Sequence, residues 1–263
     1  MRPSSGMDAE ERGMSSSRNN RRRKRNKRRF GLLFRLLAVV TVLIAVTFGA
    51  TVFFKLEEVS VSGNQRYTAQ QLVEASGLTV GDNLFQINKY NVASDILEKL
   101  PYVQSVSIRR VLPSGILLTV TESGAAGQIE SEGSIWLVSV GGKLLEEAGD
   151  TDVVQISGLT LLSPRAGTSM AVSQKEQDRL QGLLGLLAAL EERSMMGQVS
   201  AIELTPTRIL LRYEGRYDVR LPISCDFVYK LRALEAAVDQ QENYVTGTMD
   251  LTQNDYTVLF TPA

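Results

Sequence analysis

Residues 58–76 read EVSVSGNQRYTAQQLVEAS, and this stretch decides how the fold begins. Val59 and Val61 alternate with polar residues, which is the period of a half-buried strand. Gly63-Asn64 follows as a turn signal. The stretch 68–71 then has Thr and Gln three positions apart, the spacing of a capping box, directly before apolar residues at helical spacing. We therefore predict a strand, a turn and a helix.

From Gly77 to Glu122 the pattern predicts a second helix and two strands. Gly77 is the expected end of the first helix, Asn91 can cap the second, and Pro101 marks the end of the second. Leu112–Gly115 provide the turn between the strands. The apolar residues assigned to this part are Leu84, Phe85 and Ile87 before the helix, Val92, Ala93, Ile96, Leu97 and Leu100 on it, and Val106, Ile108, Ile116, Leu118 and Val120 on the strands. The predicted order is β-α-α-β-β, an α+β unit with two helices on one face of a sheet.

Short motifs in this stretch follow one another in a characteristic order. They are Val59-x-Val61-x-Gly63-Asn64, Gly81-x-Asn83-Leu84-Phe85, Leu100-Pro101-x-Val103, Arg110-x-x-Pro113 and Ile116-x-Leu118-x-Val120-x-Glu122. Together they resemble the POTRA domain of the FtsQ/DivIB family of cell-division proteins. The resemblance implies a POTRA domain over residues 55–123. It also implies a bitopic scaffold of the bacterial divisome that binds DivIC- or FtsB-like and FtsL-like proteins and through them helps control the septal peptidoglycan synthase.

A basic run, Arg18–Arg35, leads directly into the uncharged apolar stretch Leu36–Phe54. Nineteen helical residues cover roughly 28 Å, close to the ~30 Å hydrocarbon core of a bilayer. We therefore predict a transmembrane helix over residues 30–54 and a disordered basic tail over residues 1–29. The positive-inside rule places the tail in the cytoplasm and the C-terminus outside the cell membrane, at the division septum in this family. A cleaved signal peptide is the alternative, although Gly49-Ala50-Thr51 is a poor cleavage site.

The charge balance agrees with a chain divided between two compartments. Residues 1–35 carry 12 Lys and Arg against 3 Asp and Glu, a net charge of +9, and the remaining residues carry −9. A basic tail can also bind nucleic acid, but no aromatic residue lies between Met1 and Arg29 to stack on bases. We expect contact with anionic lipid and no nucleic acid.

Residues 124–263 are expected to form a second, β-rich domain with two helices. One helix is expected to begin at a capping box of Ser173 and Glu176 and to end at Gly197, and the other to begin at Asp226. The predicted strands are Gln128–Glu130, Ile135–Val140, Lys143–Glu146, Ala201–Leu204, Ile209–Tyr213, Tyr217–Leu221, Thr248–Leu251 and Tyr256–Phe260, the last two around a turn at Asn254-Asp255. No repeat of fixed period occurs.

This second half also resembles the β domain of the same family. The motifs that carry the resemblance are Trp136-Leu137-Val138, Gly142-Lys143-Leu144, Tyr229-Lys230-Leu231 and Met249-Asp250-Leu251. Thr252 stands where the family often has Arg. The total length and the short tail after the last strand are more like DivIB of Gram-positive bacteria than the diderm form.

The residue inventory excludes most enzymatic chemistry. The chain has no histidine, so catalytic pairs that depend on imidazole and the H-E-x-x-H zinc site are absent. No Ser is followed by Lys three positions later, and no G-x-S-x-G or Walker A motif occurs. Cys225 is the only cysteine, so it can form neither an intramolecular disulfide nor a cysteine metal cluster. We predict a binding protein with no catalytic residue, cofactor or metal.

The predicted partner site lies on the last strand, because a terminal strand is expected at a sheet edge, where unpaired backbone groups can accept an incoming strand. Its residues are Met249, Asp250, Thr252, Tyr256, Thr257, Val258 and Phe260. Tyr256 is the expected anchor. The alternation of apolar and polar residues along this strand is equally consistent with another role, in which Tyr256, Val258 and Phe260 only cover the core. A POTRA module for polypeptide transport or chaperoning remains the alternative function.

Overall fold

The computed structural model describes residues 20–149, 151–242, 244–253 and 257–263 and divides after Phe54 into two compact units. In the first unit, helix α1 spans Asn20–Phe53. It therefore includes residues 20–29, for which the composition predicts disorder. No helix in the described part of the chain combines the length and the apolar character needed to cross a membrane.

The second unit begins with the β-α-α-β-β order that the sequence predicts. The elements are β1 Glu58–Ser62, α2 Ala69–Ser76, α3 Lys89–Lys99, β2 Val103–Val111 and β3 Gly115–Glu122. In the three-stranded sheet, β3 lies in the centre, parallel to β1 and antiparallel to β2. The predicted capping box is present, because Thr68 accepts from the backbone of Gln71 and the Gln71 side chain accepts from Thr68. Gly77 ends α2 in the left-handed conformation, which glycine adopts without steric cost.

Two details of this part differ from the sequence prediction. Asn88, and not Asn91, caps α3, since its side chain accepts from the backbone of Tyr90 and the helix has begun before Asn91. Phe85, which we expected as an apolar anchor, is 54% exposed, whereas its neighbour Leu84 is fully buried. Leu84 is therefore the residue of this pair that enters the core, and Ile87 is partly buried.

The rest of the second unit is a nine-stranded sheet covered on one face by two helices. Its elements are β4 Gly127–Ser131, β5 Ser134–Val138, β6 Leu144–Ala148, β7 Val154–Ser157, α4 Gln177–Glu192, β8 Val199–Leu204, β9 Arg208–Tyr213, β10 Tyr217–Pro222, α5 Phe227–Val238, β11 Gly247–Asp250 and β12 Leu259–Pro262, with short 3-10 turns at Gln174–Glu176 and Met196–Gln198. The strand order is β12-β11-β10-β9-β8-β7-β4-β5-β6. Leucines of α4 and α5 pack against alternate residues of the strands to form the main core.

Asp226 caps α5 as predicted, but other element boundaries in this part differ from the predicted ones. Strand β7 was not predicted, and β12 begins at Leu259 and not at Tyr256. Helix α4 ends well before Gly197, and the Ser173 hydroxyl donates to Glu176 without capping a backbone N–H. Tyr256 and the predicted turn at Asn254-Asp255 lie outside the described residues.

Candidate functional site

Strand β12 is the outermost strand of the large sheet, as its terminal position predicts. In the described part of the chain it pairs with β11 alone, antiparallel, with Leu259 opposite Asp250 and Thr261 opposite Thr248. One side of its backbone therefore faces outward. Unpaired groups on such an edge can bind a further strand.

The register of β12 against β11 determines which backbone N–H and C=O groups of β12 face outward. The Ala263 N–H donates to the Thr246 carbonyl over 3.0 Å, so residue 263 bonds toward β11. In an antiparallel pair the bonding direction alternates along the strand, so the N–H and C=O of Phe260 point away from β11. The same alternation, continued by two residues, turns the backbone of Val258 outward. Pro262 also faces this edge, but it has no N–H to donate.

The side chains near this edge divide between the core and the solvent. Val258 and Phe260 are half-buried against the main core, and the Phe260 ring lies edge-on to Tyr217 with centroids 6.3 Å apart. These two side chains therefore cover the core, as the alternative interpretation of the alternation allows. Thr257 is exposed, and Leu259 is 47% exposed. Leu259 is an exposed apolar residue at this edge that was not among the predicted site residues.

The predicted site residues on β11 lie beside the edge but differ in access. Met249 is fully buried, so its side chain belongs to the core and does not reach the surface. The Asp250 carboxylate accepts from the backbone N–H and the hydroxyl of Thr252, at 2.9 and 2.6 Å, and lies 3.9 Å from Arg220. Burial raises the pKa of Asp250, but these hydrogen bonds and nearby Arg residues outweigh it, and the pKa lies below its usual value. Asp250 is thus ionised and fixed in place.

A shallow groove of about 510 Å³ runs along α5 next to Val258. Both small alanine side chains and larger polar side chains line it. The lining residues are Tyr229, Arg232, Ala233, Ala236, Ala237, Gln240 and Val258. The alanines at helical spacing on α5 are the sequence signal for this groove, which was not predicted.

A second feature that sequence reasoning missed is the seam between the POTRA-like part and the larger sheet. The Tyr102 hydroxyl donates to Glu146 Oε1 over 2.5 Å, and the Arg66 guanidinium lies 3.6 Å from both the Tyr102 ring centre and Glu146. The Lys143 ammonium donates to the carbonyls of Leu97 and Val103 at 2.7 and 3.0 Å. These contacts join residues on both sides of the seam.

The apolar part of the seam is a small separate cluster. Tyr102 packs with Leu137 and Leu145, all of them buried, on the face of β5 and β6 opposite the main core. Burial, and next to it the bond to Glu146, raise the pKa of Tyr102 to about 12. Burial lowers the pKa of Lys143. Both shifts reflect polar groups held away from water.

The Glu122 carboxylate organises the POTRA side of the seam. It accepts hydrogen bonds from the backbone N–H groups of Gln65, Arg66 and Tyr67, at 3.1, 2.6 and 3.2 Å. The loop that carries Arg66 and Tyr67 is therefore fixed to the end of β3.

No group of three or more acidic or cysteine residues in the described ranges is arranged to hold a metal ion.

Comparison with known proteins matches the N-terminal part of the second unit to a family. Residues 54–123 match the model of the POTRA domain, FtsQ-type. The Cell division protein DivIB of Clostridium acetobutylicum is 29% identical over 121 residues, which are 45% of this chain and 48% of that protein. The match thus spans about half the length of that relative. The Cell division protein DivIB of Geobacillus kaustophilus is 25% identical over 209 residues, 78% of this chain and 75% of that protein.

A solved structure is also similar to part of the chain. It is the major extracytoplasmic domain of the trans isomer of the cell division protein DivIB from Geobacillus stearothermophilus, with 18% identity and a TM-score of 0.29 over 47% of this chain and 99% of that one. The resemblance to the FtsQ/DivIB proteins is confirmed by the family match and the two relatives, and residues 54–123 match the FtsQ-type POTRA domain.

Proposed function

We propose that this chain is a bacterial cell-division protein that acts as a non-enzymatic scaffold of the divisome. The names of its relatives support a role in division. The observation that carries the scaffold role is the open backbone of β12 at the end of the nine-stranded sheet. A sheet edge binds extended polypeptide through main-chain hydrogen bonds, which suits a protein that assembles partners and performs no chemistry.

The partner in this proposal is an extended segment of a DivIC- or FtsB-like protein, with an FtsL-like protein in the same assembly. The outward N–H groups of Val258 and Phe260 would donate to the carbonyls of the added strand. Pro262 limits the pairing on its side, because it offers no donor. Thr257 and Leu259 would contact alternate side chains of the segment, and Asp250 and Thr252 would contribute only through the surface next to the edge. Tyr256 stays a proposed contact from sequence.

The groove along α5 supports the same site from the other side. Val258 lines both the groove and the edge, so one bound segment could pair with the strand and place an apolar side chain over Ala233 and Ala237. Apolar pockets next to a pairing edge give strand addition its selectivity.

We further propose that residues 30–54 anchor the protein in the cell membrane, with the N-terminus in the cytoplasm and the second unit outside. The absence of charge from Leu36 to Phe54 and the basic run before it support this orientation. The described side chains from Leu33 to Gly49 are exposed, as expected for a segment that meets lipid. Confinement to the membrane would raise the effective concentration of the edge for other anchored partners and so help control septal synthesis.

The test uses two substitutions at one residue. Val258→Pro removes the outward N–H, whereas Val258→Ala shortens the same side chain and keeps the N–H. Binding of a purified DivIC-like ectodomain, measured by calorimetry on the full chain in detergent, should fall several-fold more for the proline variant. Thr257→Glu, on the exposed face, should also weaken binding. Equal binding by the proline and alanine variants, with unchanged circular dichroism, would place the partner site elsewhere.

A further inference from the structure

In the described part of the second unit, four exposed apolar side chains lie on segments that meet at one end of the POTRA domain. Val80 is 79% exposed, Phe85 54%, Val111 53% and Leu112 58%. Only four other large apolar side chains are exposed among the described residues after Phe54, and three of them lie in the large-sheet domain. Single exposed apolar residues are normal on a protein surface, but a concentration at one end indicates a contact surface. We call these four apolar residues the end patch.

The backbone contacts place the four residues at the same end. The β2–β3 turn and the loop after α2 both bond to the segment that opens the second unit. Glu57 N–H donates to the Ser114 carbonyl at 2.8 Å, Leu56 N–H donates to the Asp82 carbonyl at 2.8 Å, and Gly81 N–H donates to the Leu56 carbonyl at 2.8 Å. Three segments of the chain therefore meet around residues 55–57.

Arg110 holds the exposed loop against the end of β2. Its guanidinium donates to the carbonyls of Leu84 and Ile87, at 2.5 and 2.9 Å, and lies 5.9 Å from the centre of the Phe85 ring. Phe85 is thus kept on the surface by a fixed loop, since its neighbour Leu84 is the one that enters the core. The exposure of Phe85 is a built feature of this loop.

Chain connectivity indicates what covers the end patch. Leu56 is two residues after Phe54, the end of the uncharged stretch, so their Cα atoms are at most about 8 Å apart. If residues 30–54 span the membrane, the segment that gathers the end patch leaves the bilayer surface directly. We propose that the end patch inserts into the lipid interface of the outer leaflet and holds the POTRA domain against the membrane. This inference rests on the proposed anchor.

Attachment to the proposed membrane anchor explains why a small apolar patch is sufficient for binding to lipid. Amphipathic surfaces with Phe, Leu and Val bind at the boundary between headgroups and acyl chains, and free proteins need a large buried area to do so. A domain attached within a few ångströms of the bilayer meets lipid at a very high effective concentration, so a weak insertion is enough to populate the bound orientation. Phospholipid is therefore the occupant that we propose for the end patch, and a contact with protein is an outcome that the experiment distinguishes.

The experiment places one environment-sensitive fluorophore at a time on the full chain. Cys225→Ser removes the only cysteine, and Phe85→Cys or Leu112→Cys then carries the probe. Leu162→Cys is the matched control, because Leu162 is also exposed, at 52%, but lies in the large-sheet domain. Each protein is reconstituted into vesicles of phosphatidylcholine and phosphatidylglycerol, floated on a density gradient, and quenched with spin-labelled lipid. We expect several-fold stronger quenching at positions 85 and 112 than at 162.

The outcomes separate this inference from the anchor. Protein that fails to float with the vesicles overturns the anchor and the end patch together. Protein that floats with equal, weak quenching at positions 85, 112 and 162 leaves the anchor standing and overturns the end patch. A blue-shifted probe at positions 85 and 112 without lipid quenching shows a protein contact in place of lipid and also overturns the inference.

Discussion

The seam between the two sheets and the outer edge of the larger sheet differ in whether their polar groups are hydrogen-bonded. At the seam, the Lys143 ammonium reaches two POTRA carbonyls, and Tyr102 and Glu146 pair across the boundary. At the edge, the outward N–H and C=O of Phe260 have no partner within the described residues. The molecule therefore closes one boundary with side-chain bonds and leaves the other open.

This difference suits a scaffold that must present one surface at a fixed place. A closed seam keeps the POTRA domain and the large sheet in one orientation, so that the position of β12 relative to the start of the second unit is constant. An open edge supplies the binding groups without rearrangement, which lowers the cost of association. The seam should therefore determine stability, and the edge should determine binding.

The largest expected effect compares the same substitution at the two places. Leu145 is buried in the seam and Leu259 is half exposed at the edge. Leu145→Ala should lower the free energy of unfolding by about 2–5 kcal/mol, because it removes buried methyl groups and leaves a cavity. Leu259→Ala should change it by less than about 0.5 kcal/mol. Urea unfolding measures both, and similar losses for the two variants would contradict the comparison.

A smaller effect concerns the pH dependence of the seam. The pKa of Tyr102 is about 12 in the folded protein, against an ordinary value of 10.0. Between these two pH values the phenol of Tyr102 is deprotonated in the unfolded chain and still protonated in the folded chain. The free energy of unfolding that Tyr102 contributes is therefore fully present below pH 10 and is lost as pH rises toward 12. Tyr102→Phe should reduce this fall and cost about 1–3 kcal/mol at neutral pH, since the bond to Glu146 is lost.

The control for this prediction is Tyr244→Phe. Tyr244 is 78% exposed, so the substitution should leave both the neutral stability and its alkaline decrease unchanged. Thermal melts at several pH values from neutral to alkaline would show the two slopes. If Tyr102→Phe melts with the same pH dependence as the parent, the hydroxyl is not held away from water at the seam.

Local patterns in the sequence predicted most of the fold, because their causes lie within a few residues. The capping box at Thr68 and Gln71 and the cap at Asp226 depend only on spacing, and both are present. The prediction that Asn91 caps α3 was wrong because Asn88, three residues earlier, has the same side chain and occupies the cap position. Strand β7 was missed because four residues carry too little periodic signal.

The seam could not be predicted for a different reason. Lys143 bonds to carbonyls 46 and 40 residues away, and every residue has a carbonyl, so no residue type marks the partners. The edge was predictable, since a terminal strand near the end of the chain tends to lie at a sheet boundary. The register was needed to find which backbone groups of β12 face outward, and the burial of Met249 on the neighbouring strand β11 shows that its side chain belongs to the core.

The smallest expected effect tests whether Pro262 limits the edge. Its position faces outward in the alternation of β12, and a proline there withholds one donor from any added strand. Pro262→Ala restores the N–H, and because the site is exposed the free energy of unfolding should change by less than about 1 kcal/mol. Binding of a DivIC-like ectodomain should strengthen by about 0.5–1.5 kcal/mol, the free energy of one hydrogen bond.

Thr261→Ala is the matched control, because residue 261 bonds toward β11 and the substitution adds no outward donor. Calorimetry on the two variants compares them directly: equal affinities would mean that pairing ends before residue 262, whereas tighter binding by Pro262→Ala alone would show that the added strand runs the whole length of β12.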